Sequence, residues 1–150
     1  MTIETIRKQL IALNGVVGAP GKHGDFTLFE KRNSVSLPAQ IRNNYAVMNG
    51  AETYTDGHTS WMRFWPLQDW RPVGEKSSTD SLAYSCSRLS FVCADYAFEC
   101  VYYFVDLDDQ SATYGGVFAM GQTSASLVAE NFDDFVKKVA ENSDELHNYG

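Results

Sequence analysis

The sequence predicts an α+β fold, in which an antiparallel β-sheet is flanked by helices within a single domain. Three patterns predict it: helical spacing of apolar residues in the first fifty residues, strand-like runs over residues 88–120, and a helical pattern near the C-terminus. The chain has 150 residues, of which 44% are hydrophobic and 21% charged. This length and composition are typical of one globular domain and exclude a wholly disordered chain.

The N-terminal third is predicted to contain a helix, a loop and a short strand. Apolar side chains recur at helical spacing at Ile3, Ile6, Leu10 and Leu13. Asn14-Gly15 follows as a C-cap signal. Residues 15–24 contain four glycines and Pro20, which predicts a loop, and we expect a short strand at residues 26–29.

A second helix is predicted within residues 37–50, because Pro38 suits its first turn and Gly50 its exit. Its buried stripe comprises Ile41, Tyr45 and Met48. A polar connection over residues 51–60 leads to a short strand at residues 62–67, which Pro66 ends. The polar stretch at residues 71–81 shows no periodicity.

Three strands are then predicted at residues 89–94, 99–107 and 114–120, where β-branched and aromatic residues are enriched. Both alternating sets of residues 100–105 are apolar, which predicts a central strand covered on both faces. The short connections favour antiparallel hairpins. A final helix is predicted to begin at Asn131, a capping residue paired with Asp134. Its apolar face comprises Phe132, Phe135, Val136 and Val139.

Charge and hydropathy narrow the classes of partner. The 12 Lys and Arg against 19 Asp and Glu give a net charge of −7, which disfavours a protein that neutralises nucleic-acid phosphates. No apolar run is long enough to cross a bilayer, and the start of the sequence lacks the pattern of a secretory signal. We therefore expect a cytoplasmic protein with no nucleic-acid or membrane partner, and a basic protein as the favoured counterpart.

No metal site, cofactor or catalytic residue is predicted. Cys86, Cys93 and Cys100 form no C-x-x-C pair and are expected to be buried or half-buried free thiols. The three histidines lack metal-ligand spacing, and the glycines at 115, 116 and 121 lack a nucleotide-binding order and are expected to mark a bulge or close packing. A dispersed site that pairs Cys93 or Cys100 with a distant histidine stays an alternative.

Two features favour a protein-binding surface. Large aromatic residues are concentrated in the central part of the chain, and those flanked by polar loops are candidate interface anchors. Acidic residues dominate the β-rich half, where bases are few, and such a surface steers a basic protein. The residues predicted to contact a partner are Trp61, Asp69, Asp95, Tyr96, Glu99, Asp108 and Asp109. Replacing Asp108 and Asp109 together by Lys is expected to slow association and leave the fold intact.

The order of these segments resembles the SUKH superfamily, which includes the Smi/Knr-type cell-wall-synthesis regulator of yeast and many bacterial immunity proteins. Four segments carry the resemblance: the Leu-Pro to Asn-Gly helix of residues 37–50, FWPLQDW at 64–70, FVCADY at 91–96 and VAENFDDF at 128–135. The chain departs from the family pattern in its polar insert at residues 71–81 and in Glu130-Asn131, where a serine-rich cap is common.

The resemblance implies a single SUKH-like α+β domain over residues 1–150 and a non-catalytic role. It implies an immunity protein that binds and neutralises a cognate protein toxin, and the net charge of −7 favours a basic, nuclease-type toxin. A Smi/Knr-like regulatory scaffold with several partners is the alternative, and a small-molecule-binding or enzymatic domain is the third. The sequence leaves open whether the protein is a monomer or a weak dimer.

Overall fold

The computed structural model describes residues 3–12, 16–52, 62–73, 89–97, 99–120, 125–141 and 143–147. Its α-helices are α1 (Ile3–Ala12), α2 (His23–Asn33), α3 (Ala39–Val47) and α4 (Phe132–Glu141). Its strands are β1 (Val16–Val17), β2 (Ala51–Glu52), β3 (Met62–Phe64), β4 (Arg71–Pro72), β5 (Ser90–Tyr96), β6 (Val101–Asp106), β7 (Val117–Met120) and β8 (Ala125–Ala129). Two short 3₁₀ turns cover Leu67–Asp69 and Asp144–His147.

The strands form one antiparallel sheet in the order β1-β2-β3-β5-β6-β7-β8, and β4 also pairs with β5. The sheet and its helices belong to a single domain, so the predicted α+β class is confirmed. The hairpins β5-β6 and β6-β7 have the predicted antiparallel pairing. None of the described helices is long and apolar enough to cross a bilayer.

The core lies between α4 and one face of the sheet. Phe135 of α4 is fully buried and packs against Phe64 and Tyr103, with ring centroids 5.4 Å apart in both pairs. The predicted apolar face of α4 is confirmed, because Phe132, Phe135, Val136 and Val139 are all buried. Asn131 caps the helix as predicted: its side-chain oxygen accepts the Asp134 N–H at 2.9 Å.

The central position of β6 is confirmed, because its side chains are buried on both faces of the sheet. Tyr103 and Val105 lie on the face toward α4, while Phe104 lies on the opposite face and stacks on Phe118 with centroids 5.2 Å apart. The predicted stripe of α3, Ile41, Tyr45 and Met48, is likewise buried.

Helix α2 corrects the strand predicted at residues 26–29. Phe26 and Phe29 are both buried at helical spacing, and the Asp25 carboxylate accepts the Lys22 backbone N–H at the helix start. The short run Phe-Thr-Leu-Phe is rich in residues that favour strands. Phe26 and Phe29 are three positions apart, however, so a helix buries both aromatic side chains on the same face. Four strands also go beyond the prediction: β1 lies inside the expected loop, β2 opens the polar connection at residues 51–60, β4 opens the polar stretch at residues 71–81, and β8 precedes α4.

Candidate interaction surface

A five-residue segment, residues 66–70, is looped out of the sheet. Strand β3 pairs with the second half of β5 and β4 with the first half, so both run along the same edge of β5. Between them the Trp65 N–H donates to the Cys93 carbonyl at 2.8 Å. The chain therefore leaves the edge at Pro66 and returns at Arg71. We call residues 66–70 the looped-out segment.

The looped-out segment is held by two buried hydrogen bonds to the Trp65 carbonyl and by the side chain of Asn49. The Trp65 carbonyl accepts the Tyr45 hydroxyl at 2.6 Å and the Trp70 indole N–H at 3.0 Å. The Asn49 side chain accepts the Leu67 N–H at 2.9 Å and donates to Gln68 Oε1 at 3.0 Å. These contacts give the segment a defined position on the surface, although it lies outside the sheet.

A row of polar residues crosses four strands beside this segment. Glu52 lies opposite Arg63, Arg63 opposite Asp95, and Asp95 opposite Tyr102. Directly opposed residues of antiparallel strands point to the same face. Because Phe64 points toward α4, its neighbour Arg63 and the rest of the row lie on the other face of the sheet.

Asp95 is the buried centre of the row, with 1% of its surface exposed. Its Oδ2 accepts hydrogen bonds from Arg63 Nε at 2.7 Å and from Trp65 Nε1 at 2.5 Å, and its Oδ1 accepts the Glu99 N–H at 3.1 Å. Partial burial acts to lower the pKa of Arg63. The hydrogen bond and charge of Asp95, together with the charges of Glu99 and Glu52, outweigh it, so the pKa of Arg63 is raised. The guanidinium also lies over the Trp65 ring, 5.7 Å from the centroid.

Glu99 carries its carboxylate at the edge of this network, in the hairpin between β5 and β6. It has a left-handed backbone with φ +67°, which costs a non-glycine residue about 1 kcal/mol. Its carboxylate lies 3.8 Å from Arg63 Nη2 and is hydrogen-bonded by Tyr102. Burial and the neighbouring Glu99 carboxylate raise the pKa of Tyr102, so the phenol stays a hydrogen-bond donor.

The row and the looped-out segment enclose a groove of about 340 Å³, which we call the acidic groove. It is lined by Glu52, Arg63, Trp65, Pro66, Asp69, Arg71 and Glu99. Three carboxylates and two guanidinium groups face it, and one guanidinium, that of Arg63, is neutralised by Asp95 beneath. The net charge around the groove is therefore negative, which suits a cationic side chain of a partner.

The sequence profile of the SMI1 / KNR4 family (SUKH-1) matches residues 20–138. This interval covers α2, α3 and all seven strands from β2 to β8, together with every residue of the acidic groove. The chain belongs to the SMI1 / KNR4 family. A comparison with curated proteins gave no match. The family assignment confirms the resemblance to the SUKH superfamily that the four sequence segments carry.

In this SUKH-1 domain the residues predicted to contact a partner fall into separate places. Asp69 and Glu99 are exposed and line the acidic groove together. Tyr96 is half-buried and lies opposite Met62 and Val101 in the sheet, on the face away from Asp95. Trp61 lies outside the described residues. The structure corrects the prediction for Asp95, which is buried inside the network. Its carboxylate positions groove residues and does not form part of the surface.

Asp108 and Asp109 lie at the other end of the SUKH-1 sheet. They follow the last residue of β6, whereas Glu99 precedes its first, so a six-residue strand of roughly 20 Å separates the two groups. Asp109 is exposed as expected, but Asp108 is half-buried. The Asp108 carboxylate accepts the Gln110 N–H at 3.0 Å, so it stabilises the turn and is not a freely solvated charge.

The sequence did not single out three residues that line the groove, Glu52, Arg63 and Trp65, or Tyr102, which ends the polar row. Acidic and aromatic residues in loops were expected to contact a partner, whereas these residues lie in or beside strands. The polar Arg63 between the buried Met62 and Phe64 is the signal that could have placed it on the second face.

The cysteines and the candidate metal ligands form no reactive constellation in the described part of the SUKH-1 domain. No group of three or more His, Cys, Asp or Glu there could hold a metal ion. Cys93 is buried, as predicted, and burial raises the pKa of its thiol, which keeps it protonated. Cys100 is exposed, which corrects the expectation that it is buried or half-buried. Cys86 lies outside the described residues.

Proposed function

We propose that this SUKH-1 protein is an immunity protein that binds and neutralises a cognate, basic, nuclease-type toxin in the cytoplasm and does so without catalysis. The observation that carries the proposal is the acidic groove, in which the exposed Glu99 is held by the buried Asp95 network and the exposed Asp69 is presented by the looped-out segment. Family membership supports a protein-binding role. The net charge of −7 supports a basic partner, because long-range attraction speeds the encounter of oppositely charged proteins.

The groove suits this role because its charges are positioned before binding. Asp95 fixes Arg63, Trp65 and the backbone of Glu99, so little side-chain entropy is lost when a partner docks. A nuclease needs Lys and Arg side chains to hold nucleic-acid phosphates. Carboxylates at Asp69 and Glu99 offer those cations an alternative ligand, and a bound immunity protein then excludes the nucleic acid.

The contact residues of the proposal divide by their place in the structure. Asp69 and Glu99 contact the toxin directly, and Asp95 positions Glu99 from below through its backbone N–H. Tyr96 and Asp109 lie on other parts of the surface and extend the contact if the toxin covers more than the groove. Trp61 stays a candidate aromatic anchor on the sequence argument alone.

A regulatory interaction scaffold is the second candidate, favoured by the match to a family that bears the names of the Smi/Knr regulators. A scaffold of this kind would bind several partners with moderate affinity, whereas an immunity protein binds one toxin tightly. The number of partners and their affinity therefore distinguish the two functions.

Co-expression with a toxin tests the proposed function. The chain is expressed with the toxic C-terminal domain encoded by the neighbouring gene, cell survival is scored, and affinity is measured at low and high salt. We expect rescue, with tight binding that weakens as salt rises. Absence of both rescue and binding would contradict the immunity role and favour the scaffold.

A charge-reversal pair then tests the groove. D69K/E99K is expected to slow association by about tenfold or more and to reduce rescue, because two groove carboxylates become cations. E141K/D144K changes the net charge by the same amount at exposed positions of α4 and the following 3₁₀ turn. Equal slowing by both variants would show that overall charge, not the groove, drives binding.

A further inference from the structure

A second groove, of about 350 Å³, lies on the other side of the looped-out segment; we call it the α2 groove. One wall is a single stripe of α2, where Asp25, Leu28, Phe29 and Arg32 recur at helical spacing. The other wall includes Leu67, Gln68, Trp70 and Arg71. The acidic groove shares only Arg71 with it, so the two grooves differ in composition and are treated separately.

The middle of the α2 groove is apolar. Phe29 and Trp70 pack edge to face with centroids 5.8 Å apart and are nearly buried. Leu28 lies beside them with 54% of its surface exposed, an unusually high value for a leucine that borders an aromatic cluster. A ligand side chain placed against Leu28 would remove this apolar surface from water, which favours binding.

Arg32 and Arg71 supply positive charge to the same groove. Both are exposed, and neither forms an ion pair or a side-chain hydrogen bond with another described residue. One carboxylate lines the groove, that of Asp25, which accepts the Lys22 N–H at 3.2 Å, so two guanidinium groups face a single negative charge. In a chain with net charge −7, two guanidinium groups at one groove, neither paired within the described ranges, favour an anionic ligand.

The amide of Gln68 adds a donor for a backbone carbonyl. Asn49 donates to Gln68 Oε1 at 3.0 Å, which fixes the orientation of the Gln68 amide. Its NH₂ group forms no hydrogen bond within the described part of the chain. An extended peptide offers carbonyl oxygens at regular intervals, so a pre-oriented amide suits such a ligand.

We propose that the α2 groove binds a short extended segment of a partner protein in which an apolar side chain is followed closely by a carboxylate. The apolar side chain packs on Leu28, Phe29 and Trp70, and the carboxylate pairs with Arg32 and Arg71. The wall from Asp25 to Arg32 is about 10 Å long, which accommodates about three extended residues. This inference is independent of the toxin-binding proposal, because it rests on a different groove and a ligand of opposite charge.

Peptide selection on the full-length protein tests the inference. A random, end-blocked hexapeptide library is displayed and selected, and the enriched peptides are synthesised and titrated. We expect enrichment of Asp or Glu beside Leu, Ile or Phe, and backbone amide shifts in the NMR spectrum that centre on Leu28 and Gln68. The R32Q/R71Q variant is expected to bind these peptides about tenfold more weakly, as loss of two partly exposed ion pairs predicts.

Two further measurements make the test specific. K22Q/K31Q removes the same charge from exposed positions of the α2 region that do not line the groove, so it should bind like the unmodified protein. L28S should weaken binding several-fold through the apolar contact alone. The inference is overturned if the selection enriches no peptide or enriches basic peptides. It is also overturned if K22Q/K31Q weakens binding as much as R32Q/R71Q does. Displacement of the peptides by inorganic phosphate or acetate at concentrations similar to those of the peptides would likewise overturn it.

Discussion

At the scale of single residues, Asp95 shows how the environment of a side chain determines its role. Asp95 follows a run of apolar residues in the sequence, which predicts a position at the end of a strand where it contacts a partner. Strand β5 continues to Tyr96, however, and its register places Asp95 opposite Arg63. The carboxylate is therefore buried with three hydrogen-bond donors around it and organises the groove from beneath.

Asp95→Asn is expected to lower the free energy of unfolding by about 2 kcal/mol, because Arg63 loses its buried counter-charge and the indole N–H of Trp65 faces a weaker acceptor. Urea unfolding measures the change. Asp109→Asn serves as the control, since Asp109 is exposed and its loss should change stability by less than about 0.5 kcal/mol. Equal losses in the two variants would show that the Asp95 network does not stabilise the fold.

At the scale of secondary structure, elements with strong local signals match the prediction and weakly marked elements do not. Helices α3 and α4 have the predicted positions, with Pro38 at the start of one and the Asn131 cap at the start of the other. The hydrophobic pattern of α2 is too short to distinguish a helix from a strand. The packing of Phe29 against Trp70 and Phe91 favours the helix. Strand β8 depends on pairing with β7, which no local signal reveals.

Asn131→Ala is expected to destabilise the protein by about 1 kcal/mol, because the Asp134 N–H loses its capping acceptor at the start of α4. Thermal or urea unfolding measures this effect. Asn43→Ala removes the same side chain from an exposed interior position of α3, where Ala favours the helix. This control should therefore be neutral or slightly stabilising, and a loss of stability as large as that of Asn131→Ala would contradict the capping role.

At the scale of the whole molecule, one aromatic core connects the sheet, three helices and the looped-out segment. Tyr45 of α3 is at its centre, 2% exposed, and packs on Trp70 and on Phe132 of α4. Burial and the neighbouring Cys93 raise the pKa of Tyr45 well above its ordinary 10.0, although the Trp70 hydrogen bond opposes the shift. Burial also raises the pKa of Cys93 above its ordinary 9.0.

These two raised pKa values predict that stability falls at alkaline pH. Above about pH 9 to 10 the unfolded chain loses protons that the folded protein keeps, so the free energy of unfolding decreases as pH rises. Tyr45→Phe should be less stable near pH 7 by about 1 kcal/mol, because the hydrogen bond to Trp65 is lost. Above pH 10 its stability should fall less steeply than that of the unmodified protein, by about 1.4 kcal/mol per pH unit.

Urea midpoints measured from neutral to strongly alkaline pH compare the two proteins. Equal slopes above pH 10 would show that Tyr45 ionises as easily in the folded protein as in the unfolded chain. That result would contradict its place at the dry centre of the core.

The sequence by itself determined the α+β class, the central strand β6, the apolar faces of α3 and α4, the excess of negative charge and membership of the SUKH superfamily. The structural features and the charge depend on local periodicity, capping residues and composition, which neighbouring residues along the chain specify, whereas the family membership depends on the resemblance of four short segments in order. The tertiary structure alone decided which charges meet. Arg63 and Asp95 are 32 positions apart, and only the strand register brings them together, buries one carboxylate, leaves Glu99 exposed and opens a groove on each side of the looped-out segment.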